Sequence, residues 1–148
     1  MWEDAAPTRP MAYTIDLADA ARRHQQAAEC LHECEPSCRR RDVAGYLYGL
    51  AAECALKQIF LLSYRGRPPE NKKEDPLYAH FPELKTMLRD GAQGRHAEIL
   101  RRFAEDDAFM NEWDIAMRYA PKRDIPDRLV ERWRAQTQLV MSKMEERL

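Results

Sequence analysis

The stretch 42–62, DVAGYLYGLAAECALKQIFLL, constrains the fold more than any other part of the 148-residue chain. Val43, Leu47, Leu50 and Cys54 step by four, three and four, the period of one helical face. Ala44, Tyr48, Ala51 and Ala55 mark a second face beside the first. A helix apolar over most of its circumference belongs at the centre of a bundle. Its length would reach about 30 Å, which is also enough to span a membrane. Glu53 and Lys57 stand near the middle of the apolar part, however, and a central helix with no membrane contact is the better expectation.

Two features of this helix need a physical reason. Gly45 and Gly49 are four apart, and each costs about 1 kcal/mol relative to alanine in a helix interior. That spacing predicts the close crossing of another backbone. Glu53 and Lys57 are also four apart, acid first, and can pair with each other. Among residues that want burial they form either a solvated stripe or a polar cluster in a cleft, because an unpaired buried charge is expensive.

Either side of this stretch the chain reads as further helices. Residues 1–13 hold two prolines, Trp2 and no period, and are expected to be a flexible arm; 14–148 are expected to form a single helical domain. Thr14 can cap a first helix, with Asp16 in its first turn and Leu17, Ala21, His24, Ala28 and Leu31 on its buried stripe. On that stripe His24 reads as a hydrogen-bonded interior histidine. Pro36 ends this helix, so the first two helices form an antiparallel hairpin.

The connection 65–79 is rich in proline and charge and long for a compact domain. A short third helix follows over about 81–89, ended by Gly91 and Gly94. The region 95–120 keeps helical spacing with a kink or break at 105–107. A last helix then begins with Asp124 and Pro126 and buries Leu129, Trp133, Gln136, Val140 and Met144. With five glycines and few β-branched residues there is little material for a sheet. The expected fold is all-α, a single-domain bundle of five or six helices.

Charge and composition exclude several classes of function. Twenty-four Lys and Arg against twenty-five Asp and Glu leave a formal charge of −1, unlike a protein that coats nucleic acid through bulk charge. Local basic patches remain open, such as Arg39, Arg40 and Arg41, which read as solvated side chains or as a small anion-binding patch. No apolar leader precedes the arm, so the expected location is the cytoplasm. Cys30, Cys34, Cys38 and Cys54 do not read as a disulfide framework. The segment CLHECEPSC places three of them at helical spacing, but His32 points away from that face and Pro36 interrupts it, so no metal is expected. Glu29-Cys30-Leu31-His32 is a single Glu-x-x-His, where a di-iron bundle needs two. Gly-rich phosphate loops and nucleophile elbows are absent, and no cofactor is expected.

Ala44-Gly45-Tyr46 followed by Gly49-Leu50-Ala51-Ala52-Glu53-Cys54-Ala55-Leu56-Lys57 resembles the GYAVECALKA signature of one branch of the HEPN domains. His80-Phe81-Pro82-Glu83-Leu84 resembles the His-Φ-x-x-Leu element of that branch, and Arg118-Tyr119-Ala120-Pro121 its Arg-Tyr-Pro-like element. The resemblance implies a small helical domain associated with nucleotide or RNA biology. It implies a homodimer or a partner such as a nucleotidyltransferase-type subunit, in a prokaryotic toxin–antitoxin or defence context.

Catalytic members of that family place an Arg and a His four to six residues apart before the last helix. Arg118 lies where the Arg belongs, but YAPKRDIP after it holds no His. The spacing recurs between Arg89 and His96, one element too early. The expectation is therefore a catalytically silent domain in which Glu53, Lys57 and Arg118 form one polar binding cluster, Arg118 paired with Glu53. The alternatives are a divergent ribonuclease using His96 or His80, and a purely structural helical adaptor.

Overall fold

The computed structural model describes residues 13–63 and 75–148, and among them every regular element is helical. The arm 1–13, except Tyr13, and most of the connection 65–79 lie outside the described residues. Five α-helices appear: α1 (Leu17–Glu33), α2 (Arg41–Ser63), α3 (Glu83–Gly91), α4 (Ala97–Glu105) and α5 (Asp127–Glu145).

The cap of α1 is Asp16, not Thr14; its side chain accepts from the Asp19 N–H at 3.0 Å. Leu17, Ala21 and Ala28 are buried as the periodicity requires, while His24 is only half-buried and His32 takes a buried place instead. The turn into α2 corrects the cysteine expectation. Cys34 and Cys38 are joined by a disulfide, with Cα atoms 6.0 Å apart, while Cys30 and Cys54 are free. Pro36 breaks the helix between them, and that break lets the chain fold back and bring the two sulfurs together.

α2 packs against α1 on one side and α5 on the other, and it is the centre of the core. Ala44, Tyr48, Ala51, Ala52, Ala55, Leu56, Ile59 and Phe60 are all buried. The face first suggested by periodicity is the outer one: Val43 is 39 % exposed, and Leu47, Leu50 and Cys54 are half-buried.

The glycines of α2 make room for side chains, not for a crossing backbone. A Cβ on Gly49 would fall 2.0 Å from Trp113 Cε2 and Nε1, and one on Gly45 would fall 3.0–3.1 Å from Val130 and Trp133. The Trp113 indole lies across Gly49 and donates its Nε1–H to the Gly45 carbonyl at 3.1 Å. Tyr46 stacks on the same ring, and Phe81 meets it edge-on.

The region after α4 is not a second long helix. It turns at 106–114 and forms a five-residue 3-10 segment, Ile115–Tyr119. Asp106 and Asp114 capture the backbone N–H groups of Ala108 and Ala116, as turn-forming carboxylates do. Lys85 and Gln136 then bind the carbonyls and N–H groups this turn leaves open: Lys85 donates to Asp106 and Phe109, and Gln136 bonds Met110 N–H and Ala108 O. Met110 and Glu112 in this turn lie at positive φ, 54° and 68°. The last helix starts at Asp127 behind Pro126; Asp124 belongs to a 3-10 turn before it.

A polar seam joins α1 to α5. Arg134 grips the Glu29 carboxylate with Nε at 2.9 Å and Nη2 at 2.8 Å, and Tyr48 donates its hydroxyl to the same carboxylate at 2.7 Å. The Arg134 bonds are the main cause that holds the Glu29 carboxyl below its ordinary range. His32, buried between the helices, bonds Glu131.

Candidate functional site: a buried Glu53 cluster and an Arg95–His96 cavity

The two charged residues inside α2 do form a polar cluster, and its third member is His80. Glu53 is 2 % exposed. Its Oε1 lies 2.9 Å from His80 Nδ1 and its Oε2 accepts the Phe81 N–H at 2.7 Å. Lys57, one turn further along α2, donates to the Leu77 carbonyl at 2.9 Å. Both side chains therefore bind the same short segment, the 3-10 turn Pro76–Tyr78 and the residues up to Phe81. Burial pushes the Glu53 carboxyl up against the opposing pull of His80, Lys57 and the Phe81 N–H. Burial likewise pushes Lys57 down, and Glu53 opposes it. Each charge makes the other cheaper to bury.

Arg118 does not join them, and the expected Arg118–Glu53 pair is not formed. Arg118 is exposed, near Tyr46 and set over the Tyr119 ring at 4.9 Å. Tyr46 and Glu53 are seven residues apart on α2, about 10 Å along its axis. Arg89 and His96 are not assembled as a pair either, since Arg89 bonds the neighbouring Asp90 at 3.0 Å.

The arginines before α2 also have separate partners. Arg39 bonds the Cys34 carbonyl, Arg40 bonds Asp42 and Arg41 bonds Asp127. They do not converge on a common anion site. Among the described residues no three of His, Cys, Asp and Glu stand close enough to hold a metal ion, and the disulfide uses two of the three cysteines of CLHECEPSC.

A second place carries chemistry that periodicity alone does not reveal. A cavity of about 460 Å³ lies between the C-terminal end of α2 and the turn that leads into α4. Phe60, Leu62 and Ser63 form one wall; Gln93, Arg95 and His96 form the other. Gly94, at φ +75, makes the turn that sets Arg95 and His96 side by side. His96 is 7 % exposed, and Arg95 Nε stands 3.5 Å from its Nε2. Burial, then Arg95, then Arg147 hold the His96 pKa below the ordinary histidine value. The sequence signal for this site was the pair of glycines ahead of Arg95 and His96, Gly91 and Gly94, which marks a turn just before a helix.

No family model matches this chain, and no curated protein or solved structure matches it.

Proposed function

We propose that this chain is a catalytically silent HEPN-like helical domain that acts by binding. In this reading it is a nucleotide- or RNA-associated or partner-binding module, homodimeric or paired with a nucleotidyltransferase-type subunit, in a prokaryotic toxin–antitoxin or defence context. The observation that carries the reading is the division of the polar residues. Glu53 holds His80, while Arg118 stands about two helical turns away beside Tyr46, so among the described residues the arginine of the family-like element has neither His80 nor His96 as its partner. Phosphodiester cleavage needs a cation for the phosphate and an acid–base group together.

One observation favours the ribonuclease reading. A buried carboxylate on His80 Nδ1, with the ring 43 % exposed, is how an orienting acid prepares a histidine base. Single-stranded RNA incubated with the purified protein separates the two. The account predicts no cleavage, and an Arg118→Ala variant within about 0.5 kcal/mol of wild-type stability, as for an exposed side chain. Cleavage that vanishes in His80→Ala or His96→Ala would make the domain a nuclease.

The homodimer is supported by the half-exposed apolar stripe of Val43, Leu47, Leu50 and Cys54 on α2. Trp113 and Trp133 give it no support, being 2 % and 1 % exposed in the core, and Trp2 lies outside the described residues. Light scattering at tens of micromolar should give twice the 17.4 kDa chain mass, and a monomer mass counts against pairing. Among the described residues no helix is long and apolar enough to cross a membrane. A cytoplasmic location belongs to the proposal; in that reducing compartment the Cys34–Cys38 bond, half-buried at Cys34 and exposed at Cys38, is expected to open to thiols.

A further inference from the structure

The cavity between α2 and the 94–96 turn has one apolar side and one basic side. Its wall from α2 is apolar at Phe60 and Leu62 and ends at Ser63, and the opposite wall ends in Arg95 and His96. No carboxylate lines it among the described residues, on a chain where acids and bases are nearly equal in number. Its volume of about 460 Å³ falls in the range of small-ligand sites. His96 immediately precedes α4, so the positive end of that helix lies beside the cavity. We propose that this cavity binds a small phosphomonoester, its phosphate on Arg95 and His96 and an apolar or planar body against Phe60 and Leu62.

Two charged groups act on His96. Arg95 lies on its own segment and Arg147 beyond the end of α5, and both oppose its protonation; α2 contributes no charge to the cavity wall. The geometry of the free protein fits a neutral imidazole, with Arg95 Nε–H directed at Nε2. A bound dianion reverses that balance. It neutralises the arginine field and favours the imidazolium, which then donates to a phosphate oxygen. Binding therefore takes up a proton, and affinity strengthens as pH falls toward the histidine range while the phosphate is still a dianion. A carboxylate has one charge and flat geometry, so it gains less from the same pair.

The inference rests on the binding-module reading only in treating Arg95 and His96 as ligand-holding groups, and its test separates the two. Phenyl phosphate, inorganic phosphate and benzoate are titrated by calorimetry into wild type, Arg95→Ala and His96→Asn, with thermal denaturation confirming that each variant is folded. Phenyl phosphate should bind saturably and more tightly than either of the others. Arg95→Ala should weaken it by about tenfold, the loss of one charge-assisted contact. Binding by wild type should be about threefold or more tighter near pH 6.5 than near pH 8, and His96→Asn should abolish that difference. Absence of saturable binding, equal binding of benzoate, or binding indifferent to Arg95→Ala would each overturn the site and leave the silent-domain reading standing. Release of phenol from bound phenyl phosphate would contradict the silent reading while confirming the site.

Discussion

Leucine in place of Gly49 should destabilise the fold by about 3 kcal/mol, the upper part of the range for overpacking a core. The reason is the Trp113 indole, already 2.0 Å from where the first added carbon would sit. That ring cannot simply swing aside. Its N–H is bonded to the Gly45 carbonyl, Tyr46 is stacked on one face and Phe81 abuts it edge-on. Even alanine should cost about 1 kcal/mol or more, although alanine ordinarily improves a helix by about that amount over glycine. Denaturant unfolding of Gly49→Ala and Gly49→Leu checks this. An alanine variant as stable as wild type would mean that the indole yields and that the glycine is merely tolerated.

The second large effect belongs to Glu53. Glu53→Ala should cost about 3–5 kcal/mol, because it leaves Lys57 as a buried charge without its opposite and removes the acceptor for Phe81 N–H and His80. Glu53→Gln keeps one acceptor oxygen and the side-chain shape, and should cost less than half as much. The pH dependence has a definite sign. Burial raises the folded pKa of Glu53 above the ordinary 4.5. Its titration therefore contributes stability that is fully present below 4.5 and declines as pH rises through the raised value. The gap in stability between wild type and Glu53→Gln should accordingly shift between pH 4 and pH 8, by equilibrium unfolding, in the direction that favours wild type at the acid end. A pH-independent gap would show that folding does not raise the Glu53 pKa.

Much of this fold was legible in the sequence because it follows from period and punctuation. The central helix could be located from its apolar run, and Pro36 and Pro126 marked where helices stop and start. The break expected at 105–107 falls where α4 ends, but helix up to 120 beyond it was not realised, for a reason that periodicity cannot express. Asp106 and Asp114 offer the backbone local bonds that compete with a helix, and Lys85 and Gln136, distant in sequence, complete them. The Cys34–Cys38 bond was missed because a turn of that length carries no pattern of paired cysteines. Arg118 was misplaced for a related reason. The expected pairing with Glu53 came from the family resemblance alone, while rotation of a short 3-10 segment decides which way a side chain on it faces, and here Arg118 lies near Tyr46. Glu53 and Lys57 were recognisable as a problem needing a solution. Their partner, the 75–81 segment, follows a connection whose path the sequence does not encode locally.

The central claim is that the charges inside α2 fasten that segment to the helix and do not form a site with Arg118. A pair of double-mutant cycles on stability tests it most directly, Glu53 with His80 and Glu53 with Arg118, each replaced by alanine. The account predicts a coupling of about 1 kcal/mol or more between Glu53 and His80, and none beyond about 0.3–0.5 kcal/mol between Glu53 and Arg118. Strong coupling to Arg118 with little to His80 would contradict it.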